Sequence, residues 1–587
     1  MVATEPKLAI VWDEGYTLGR EARVRLWVTA LFDPPAFDQQ WNRSELPLID
    51  DAMRAPPDGS IDTRMKLMGA KSIAWFWPFG REEPHGHPPF YAIVGLIGDA
   101  IDALTGHAWL PAWKSELARA RFGPMLAFSL AAGAIFGAFL RRWGAWPALA
   151  ASAAWTLHPH LFALGHYAGY DAILSALWVG AILAFSRAVV PGATGRTRPV
   201  PAATVVNTGR VRPAAPKIQP PDPRGNDSQP SWGWVVVFGI LCGWAADTKL
   251  TGWFLPLPFI AWTFVTRSRR GLLTIAVGGL VAFVTLYVFN PPWWTDPVGG
   301  PIRFLQSNLT RAHTRPIRVM FLGHIYNTPI DSLPPYNTLV WTALATPVGI
   351  LALALIGSVR AIRDRAASDP LPILALGHWV FLLILRALPH TPGHDGVRQF
   401  LPAFGCLALV AGVGAAWLVS YSRKWGRIFI AVAVAEGAAS VALMMPVPLS
   451  YYSPIIGGLP GAARIGMEPT YYWDALSREA LDRLAAITPP DRSVRFATFP
   501  TSWLYQKYRG GTMRFNIFPI DRRKPPAWYV VQNRPGEFDN THRDLVRTLG
   551  PKSVLVAKFG VPLVWAFPYD EVERALKAAA TPRGPAP

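Results

Sequence analysis

Hydrophobic positions run along this chain in long blocks with almost no period-two alternation, and short polar, basic clusters separate them. Apolar stretches fall near 123–139, 145–163, 171–187, 232–247, 250–266, 271–290, 337–357, 371–388, 398–420 and 428–446. Each is long enough, or nearly so, to cross a hydrocarbon core of about 30 Å. The pattern predicts an α-helical polytopic membrane protein with about ten crossings. Arg141-Arg142, the stretch from Arg187 to Arg224, "RSRR" at 267–270, "VRAIRDR" at 359–365 and "SRKWGR" at 422–427 occupy every second connection. The positive-inside rule puts them in the cytoplasm and puts 1–122, 164–170, 291–336, 389–397 and everything after about 447 outside.

Three regions follow: an outer loop region 1–122, a bundle 123–446 and a C-terminal segment 447–587. In the last, strand-like runs ("RSVRFATFP", "AWYVVQN", "KSVLVAKFG", "VPLVWAF") mix with helical ones ("WDALSREALDRLAAI", "NTHRDLVRTLG", "EVERALKAAA"). That mixture predicts a small extramembrane α/β domain. The cytoplasmic stretch 188–231 is rich in Pro, Ala and Arg without apolar periodicity and reads as disordered. Only "LAIVW" precedes the first polar motif, so a preceding spanning helix is expected to be missing, which would bring the total to about eleven.

Composition supports the membrane reading, with 51% hydrophobic residues, 26 Trp and only 16% charged residues in 587. The net charge of +19 lies in the connections between spans, which argues against a nucleic-acid partner. Cys242 and Cys406 sit in apolar segments without metal or redox spacing.

Chemistry concentrates on the outer side. Asp13 and Glu14 stand where a helix N-terminus would favour acids through its dipole. "HGHPPF" at 85–90 places His87 before two prolines that fix the chain direction. "LHPHLFALGHYAGYDAIL" at 157–174 carries His166, Tyr167, Tyr170 and Asp171 in a short outer connection, where Asp171 is equally a helix cap. Residues 232–266 form one apolar stretch broken only at "ADTK", with basic flanks on both sides, so a hairpin is required. Each half spans roughly 24 Å of helix, which sinks Lys249 below the outer surface. An ionisable group at that depth is a functional candidate, with an anion such as phosphate as its partner and an Asp247 ion pair as the structural alternative. Finally, 289–329 and 388–404 gather Trp293, Trp294, Arg311, His313, Arg315, His324, Tyr326, His394, Asp395 and Arg398 on the same side. The histidines lack metal-ligand spacing, and a divalent cation stays open without support.

The order "WDEGYTLGREAR", "HPPFY", "GYDAILSALW", "GWAADTKLTGWFLPLP" resembles that of GT-C superfamily glycosyltransferases. It is most similar to the bacterial branch related to protein O-mannosyltransferases and the aminoarabinose transferase acting on lipid A. The resemblance spans about residues 10 to 450, whereas "NPPWWTDP" and "TPGHDGVRQFLPAF" look typical of a less-characterised subgroup. It implies a bacterial inner-membrane enzyme that moves a sugar from a polyprenyl-phosphate donor to a hydroxyl of a protein, lipid or glycan acceptor on the periplasmic side, with inversion. Asp13 is then the expected general base and Glu14 its orienter or acceptor contact. Asp171 lies near the same cavity, Lys249 and then Arg398 are the phosphate candidates, and His87, Tyr170, His394 and Asp395 complete the substrate surroundings. A transporter of a lipid-linked solute and a non-catalytic membrane scaffold are the rival classes; the large outer loops argue against transport.

Overall fold

The computed structural model describes residues 1–37, 67–77, 87–105, 115–190, 229–314, 317–328, 331–365, 369–498, 517 and 523–580. The stretch expected to be disordered lies, over 191–228, outside the described residues, as do the side chains of Arg311, His313 and Arg315.

Every predicted apolar stretch is helical. The principal helices are α1 (Glu14–Phe32), α2 (Phe90–Leu104), α3 (Glu116–Trp143), α4 (Ala145–Thr156), α5 (Pro159–Leu164), α6 (Asp171–Val189), α7 (Trp232–Ala246) and α8 (Pro256–Thr266). They continue as α9 (Arg269–Val288), α10 (Asn337–Ala345), α11 (Val348–Arg363), α12 (Leu371–Ala387), α13 (Pro402–Tyr421) and α14 (Arg423–Met444). Five of the described helices, α3, α6, α9, α13 and α14, are long and apolar enough to cross a membrane unaided. Two stretches expected as single spans are broken instead. The stretch 145–163 splits at Leu157-His158, where Pro159 opens a new helix, and 337–357 splits at Thr346, whose helical conformation Pro347 disfavours.

Local signals set the helix ends. Ser115 caps α3 by accepting from Ala118 N at 3.1 Å, and Arg141 and Arg142 lie in its last turn, where cations complement the helix dipole. Central in the bundle, α13 is buried from Pro402 through Ala415. It meets α11 so closely that a Cβ on Gly357 would stand 1.9 Å from Val410 O, and one on Gly414 2.0 Å from Leu353 O. Small residues at that crossing are a packing requirement in lipid, where backbone approach replaces hydrophobic drive. The outward faces of α8, α9 and α14 expose Phe264, Leu280, Phe283, Val432 and Leu443, an apolar surface suited to acyl chains.

The C-terminal domain holds a four-stranded sheet of β3 (Val494–Phe496), β4 (Trp528–Gln532), β5 (Val554–Lys558) and β6 (Val561–Pro568), in the order β3-β4-β6-β5. Only β3 and β4 run parallel. Helices α15 (Arg478–Ile487), α16 (Asn540–Thr548) and α17 (Tyr569–Ala580) accompany it. An antiparallel hairpin, β1 (Ile317–Phe321) and β2 (His324–Thr328), which the hydrophobic pattern did not signal, docks against this domain through Gly323 N to Gly466 O at 2.9 Å.

The segment ahead of α1 is fastened to the bundle by one buried cation. Arg121 of α3 donates to Glu14 Oε1 and Oε2 at 2.7 Å each, to Glu5 Oε1 at 2.9 Å and to Ala9 O at 2.6 Å. Replacing Glu14 by Gln strands part of that guanidinium in an apolar interior, a loss of about 3 kcal/mol. Glu14→Gln is therefore expected to lower the melting temperature in detergent.

A second expectation concerns pH. Burial raises the Asp474 carboxyl to about 8, and it raises Glu468 to about 7 against the opposing pull of Arg534. Both groups ionise near 4 when unfolded, so the fold binds protons that the unfolded chain has released. Stability is then full below about pH 4 and declines as pH rises to 8. Melting temperatures measured from pH 5 to 8.5 should fall, and Asp474→Asn should flatten the slope.

Candidate functional site

Five chain segments converge at the end of the bundle that carries the C-terminal domain. Asp13 immediately precedes α1, and Tyr170 and Asp171 open α6. Lys249 follows α7, and Asp395 with Arg398 sits at a 3-10 turn (Gly396–Phe400) that feeds α13. Tyr472 comes from the C-terminal domain. Asp395 and Gly396 both adopt left-handed backbone (φ 60° and 59°), and the turn they make lets Asp395 and Arg398 meet at 2.8 Å.

Arg398 is the hub. Its Nε donates to Asp171 Oδ2 at 2.7 Å and its Nη1 to Asp395 Oδ2 at 2.8 Å, while Nη2 donates to both Asp13 Oδ2 and the Tyr170 hydroxyl. One guanidinium thus binds three aspartates from three distant parts of the sequence, a use of its fixed fork that a lysine could not reproduce. Two further cations complete the charge balance. Lys249 Nζ donates to Asp171 Oδ1 at 2.8 Å and to Gln399 Oε1 at 3.3 Å, and Arg534 Nη1 lies 2.9 Å from Asp395 Oδ1.

Among the three aspartates, Asp13 is the accessible one: its side chain is 22% exposed, against 7% for Asp171 and 5% for Asp395. Its bonds all fall on Oδ2, which accepts from Arg398, from Tyr170 at 2.9 Å and from Tyr472 at 2.9 Å. No hydrogen bond from the described residues reaches Oδ1. Burial pushes the Asp13 carboxyl up, but Arg398 and the two tyrosine hydroxyls outweigh it, so the group lies below the ordinary aspartate range. Asp395 is likewise held down, at about 2, because Arg534, His394 and Arg398 overcome its burial.

The residues expected at the base and around the substrate gather except Glu14, whereas Trp293 packs with Leu286 and Phe304, Trp294 donates to Tyr287 O, and His324 and Tyr326 lie on β2. His87 packs on Tyr170 with ring centroids 3.8 Å apart, and His394 Nε2 lies 2.9 Å from Gln399 Nε2. Asp171 is engaged with cations at both oxygens, which sets aside the capping alternative. The Asp247–Lys249 pair does not form: Asp247 accepts instead from Asn290 at 2.7 Å. Glu14 is the exception. Its carboxylate is saturated by Arg121, by Val11 N at 3.0 Å and by Ala168 N at 2.8 Å, and it is wholly buried. It therefore neither orients Asp13 nor reaches an acceptor, and its work is to tie the first segment to α3 and to the 164–170 connection. Lys249 and Arg398, expected at a phosphate, are both paired to aspartates here.

Tyr472, Arg534 and Gln399 were not singled out in the sequence. Tyr472 stands in "YYWD", where a run of aromatics reads as core, yet Tyr472 and Trp473 both hold left-handed backbone (φ 61° and 56°). Such a conformation costs a bulky residue about 1 to 3 kcal/mol. It is maintained by the Trp12 N bond to Tyr472 O at 3.3 Å, the Trp12–Trp473 contact at 5.0 Å between centroids, and Arg534 over Trp473 at 4.1 Å. Among the described residues no group of three or more His, Cys, Asp or Glu side chains is arranged to hold a metal ion. The three aspartates converge on Arg398.

No family model matches the sequence, and no curated protein matches it. Among solved structures, the chain is similar to ArnT from Cupriavidus metallidurans, in the apo state (16% identity, TM-score 0.42) and bound to undecaprenyl phosphate (16%, TM-score 0.40), each match covering 82% of this chain and 87% of that one. It is also similar to the archaeal oligosaccharyltransferase AglB from Archaeoglobus fulgidus in complex with an inhibitory peptide and a dolichol-phosphate, at 11% identity and a TM-score of 0.36, over 76% of this chain and 62% of that one.

Proposed function

We propose that this protein is a membrane glycosyltransferase that moves a sugar from a polyprenyl-phosphate donor to an acceptor hydroxyl, with Asp13 as general base. The observation that carries the reading is the Asp13 carboxylate: ionised, tied at Oδ2 by three donors and left open at Oδ1, beside a lipid-facing bundle. An aspartate so held can accept a proton in a defined direction. Its lowered basicity suits a reaction in which the leaving group departs ahead of proton transfer, as at an anomeric carbon with oxocarbenium character. The leaving group, polyprenyl phosphate, is a phosphate monoester that departs as a weak base and needs no acid.

In this reading the acceptor hydroxyl attacks the anomeric carbon, the bond from that carbon to the phosphate oxygen breaks, and Oδ1 takes the hydroxyl proton. Inversion follows from single displacement. The cluster faces the periplasm of a bacterial inner membrane, with lipid carrying the donor. Protein, lipid and glycan acceptors all present the required hydroxyl. Lys249 and Arg398 contribute positive charge near the departing phosphate while remaining paired to their aspartates.

Radiolabelled polyprenyl-phosphate-linked sugars, detergent-purified protein and membrane extract supply the test. Transfer into a covalent product should be seen with the wild-type chain and fall by on the order of 10²-fold or more in Asp13→Asn; equal turnover in the variant contradicts the assignment. Lys249→Ala should weaken donor binding by about tenfold, and an unaltered donor affinity would confine Lys249 to its pair with Asp171.

A further inference from the structure

The C-terminal domain reaches into the aspartate cluster at two points that the chemistry proposed above does not use. The Tyr472 hydroxyl donates to Asp13 Oδ2 at 2.9 Å, and its ring lies under the Arg398 guanidinium at 4.0 Å. Arg534, buried at the end of β4, lies 2.9 Å from Asp395 and extends toward Glu468, 3.6 Å from its Nε. Neither residue belongs to the bundle.

We infer that Tyr472 is a positioning residue: it holds the Asp13 carboxylate with Oδ2 tied and Oδ1 presented, so that the base is set only when the C-terminal domain is docked on the bundle. The inference rests on Asp13 being the base. The strap that carries Tyr472 is fastened to the domain's own sheet. Thr470 Oγ1 donates to Asn533 O at 2.8 Å and Ala475 N to Gln532 Oε1 at 3.1 Å, which anchor its two ends beside β4. Between those anchors, the left-handed pair Tyr472-Trp473 turns toward Trp12, one residue before Asp13. A purely structural tyrosine in such a strap would bury its ring without bringing its hydroxyl to the most accessible of the three aspartates.

The surroundings show how much of the carboxylate's state rests on this bond. Arg398 faces Asp13 from the turn before α13, and Asp395 lies behind Arg398 with Arg534 beside it. From α6 come Tyr170 and Asp171, the latter paired with Lys249, while His87 covers Tyr170. From α1 and α2, Arg20 and Tyr91 are bonded to one another at 2.7 Å. Arg398 is the largest stabiliser of ionised Asp13, and the Tyr170 and Tyr472 hydroxyls add to it. Removing one of the two that reach Oδ2 should raise its titration midpoint by about one unit.

The test reads that midpoint directly. Detergent-purified full-length protein is treated across a pH series with a diazo ester, which esterifies protonated carboxyls, and modification at Asp13 is followed by peptide mass spectrometry. Tyr472→Phe keeps the ring and removes the hydroxyl; the expected result is a midpoint shifted upward by about one unit, with a parallel shift in the acid limb of kcat and little change in donor KM. A fluorinated tyrosine introduced at 472 preserves shape and strengthens the donor, so it should move the midpoint downward and serves if the phenylalanine variant does not fold. A midpoint unmoved in a folded variant overturns the inference. Because labelling reports ionisation without transfer, it separates this failure from that of the base assignment, which would show as transfer surviving in Asp13→Asn.

Discussion

The guanidinium of Arg398 is the point on which the rest of the arrangement depends. It gathers Asp13, Asp171 and Asp395, which come from three distant parts of the sequence, onto three nitrogens of one planar group. Three carboxylates at hydrogen-bonding distance from one buried site would repel one another and shed their charges as protons. With Arg398 between them, and Lys249 and Arg534 at the flanks, the cluster is electrically closed. That closure allows an ionised aspartate to stand at the edge of an apolar bundle.

Two separate carboxylate systems explain the adjacent acids at the start of the chain. Glu14 turns to Arg121 and the backbone of the 164–170 connection and is sealed from solvent; Asp13 turns to Arg398 and two tyrosines and stays partly open. Neighbours in sequence, they diverge because residue 13 lies before the first helical turn and residue 14 within it. The glutamate fastens the first segment to α3 and to the 164–170 connection.

Much of this was legible in the chain. Apolar block length and alternating basic clusters give the helices, and the break at "ADTK" together with the basic flanks requires the hairpin that carries Lys249 to Asp171. The partner of Lys249 was not legible, since Asp171 lies 78 residues away and nothing local distinguishes it from a cap. Tyr472 and Arg534 were hidden for a different reason. Aromatic and basic residues in a small α/β domain read as core and surface, and only tertiary docking turns one hydroxyl and one guanidinium toward the bundle. The helix breaks at His158-Pro159 and Thr346-Pro347 lay in plain view as proline signals, but the continuous hydropathy across them pointed to unbroken spans.

Thermal unfolding of Arg398→Gln alone and combined with Asp13→Asn tests the three-aspartate clamp most directly. The single variant leaves Asp13 without its cation, whereas Asp171 and Asp395 keep Lys249 and Arg534, and it should melt well below wild type. The double variant removes that stranded charge, so it should melt above the single variant, a non-additivity expected of groups sharing one network. A double variant melting lower still, by the sum of the two separate losses, would contradict the clamp.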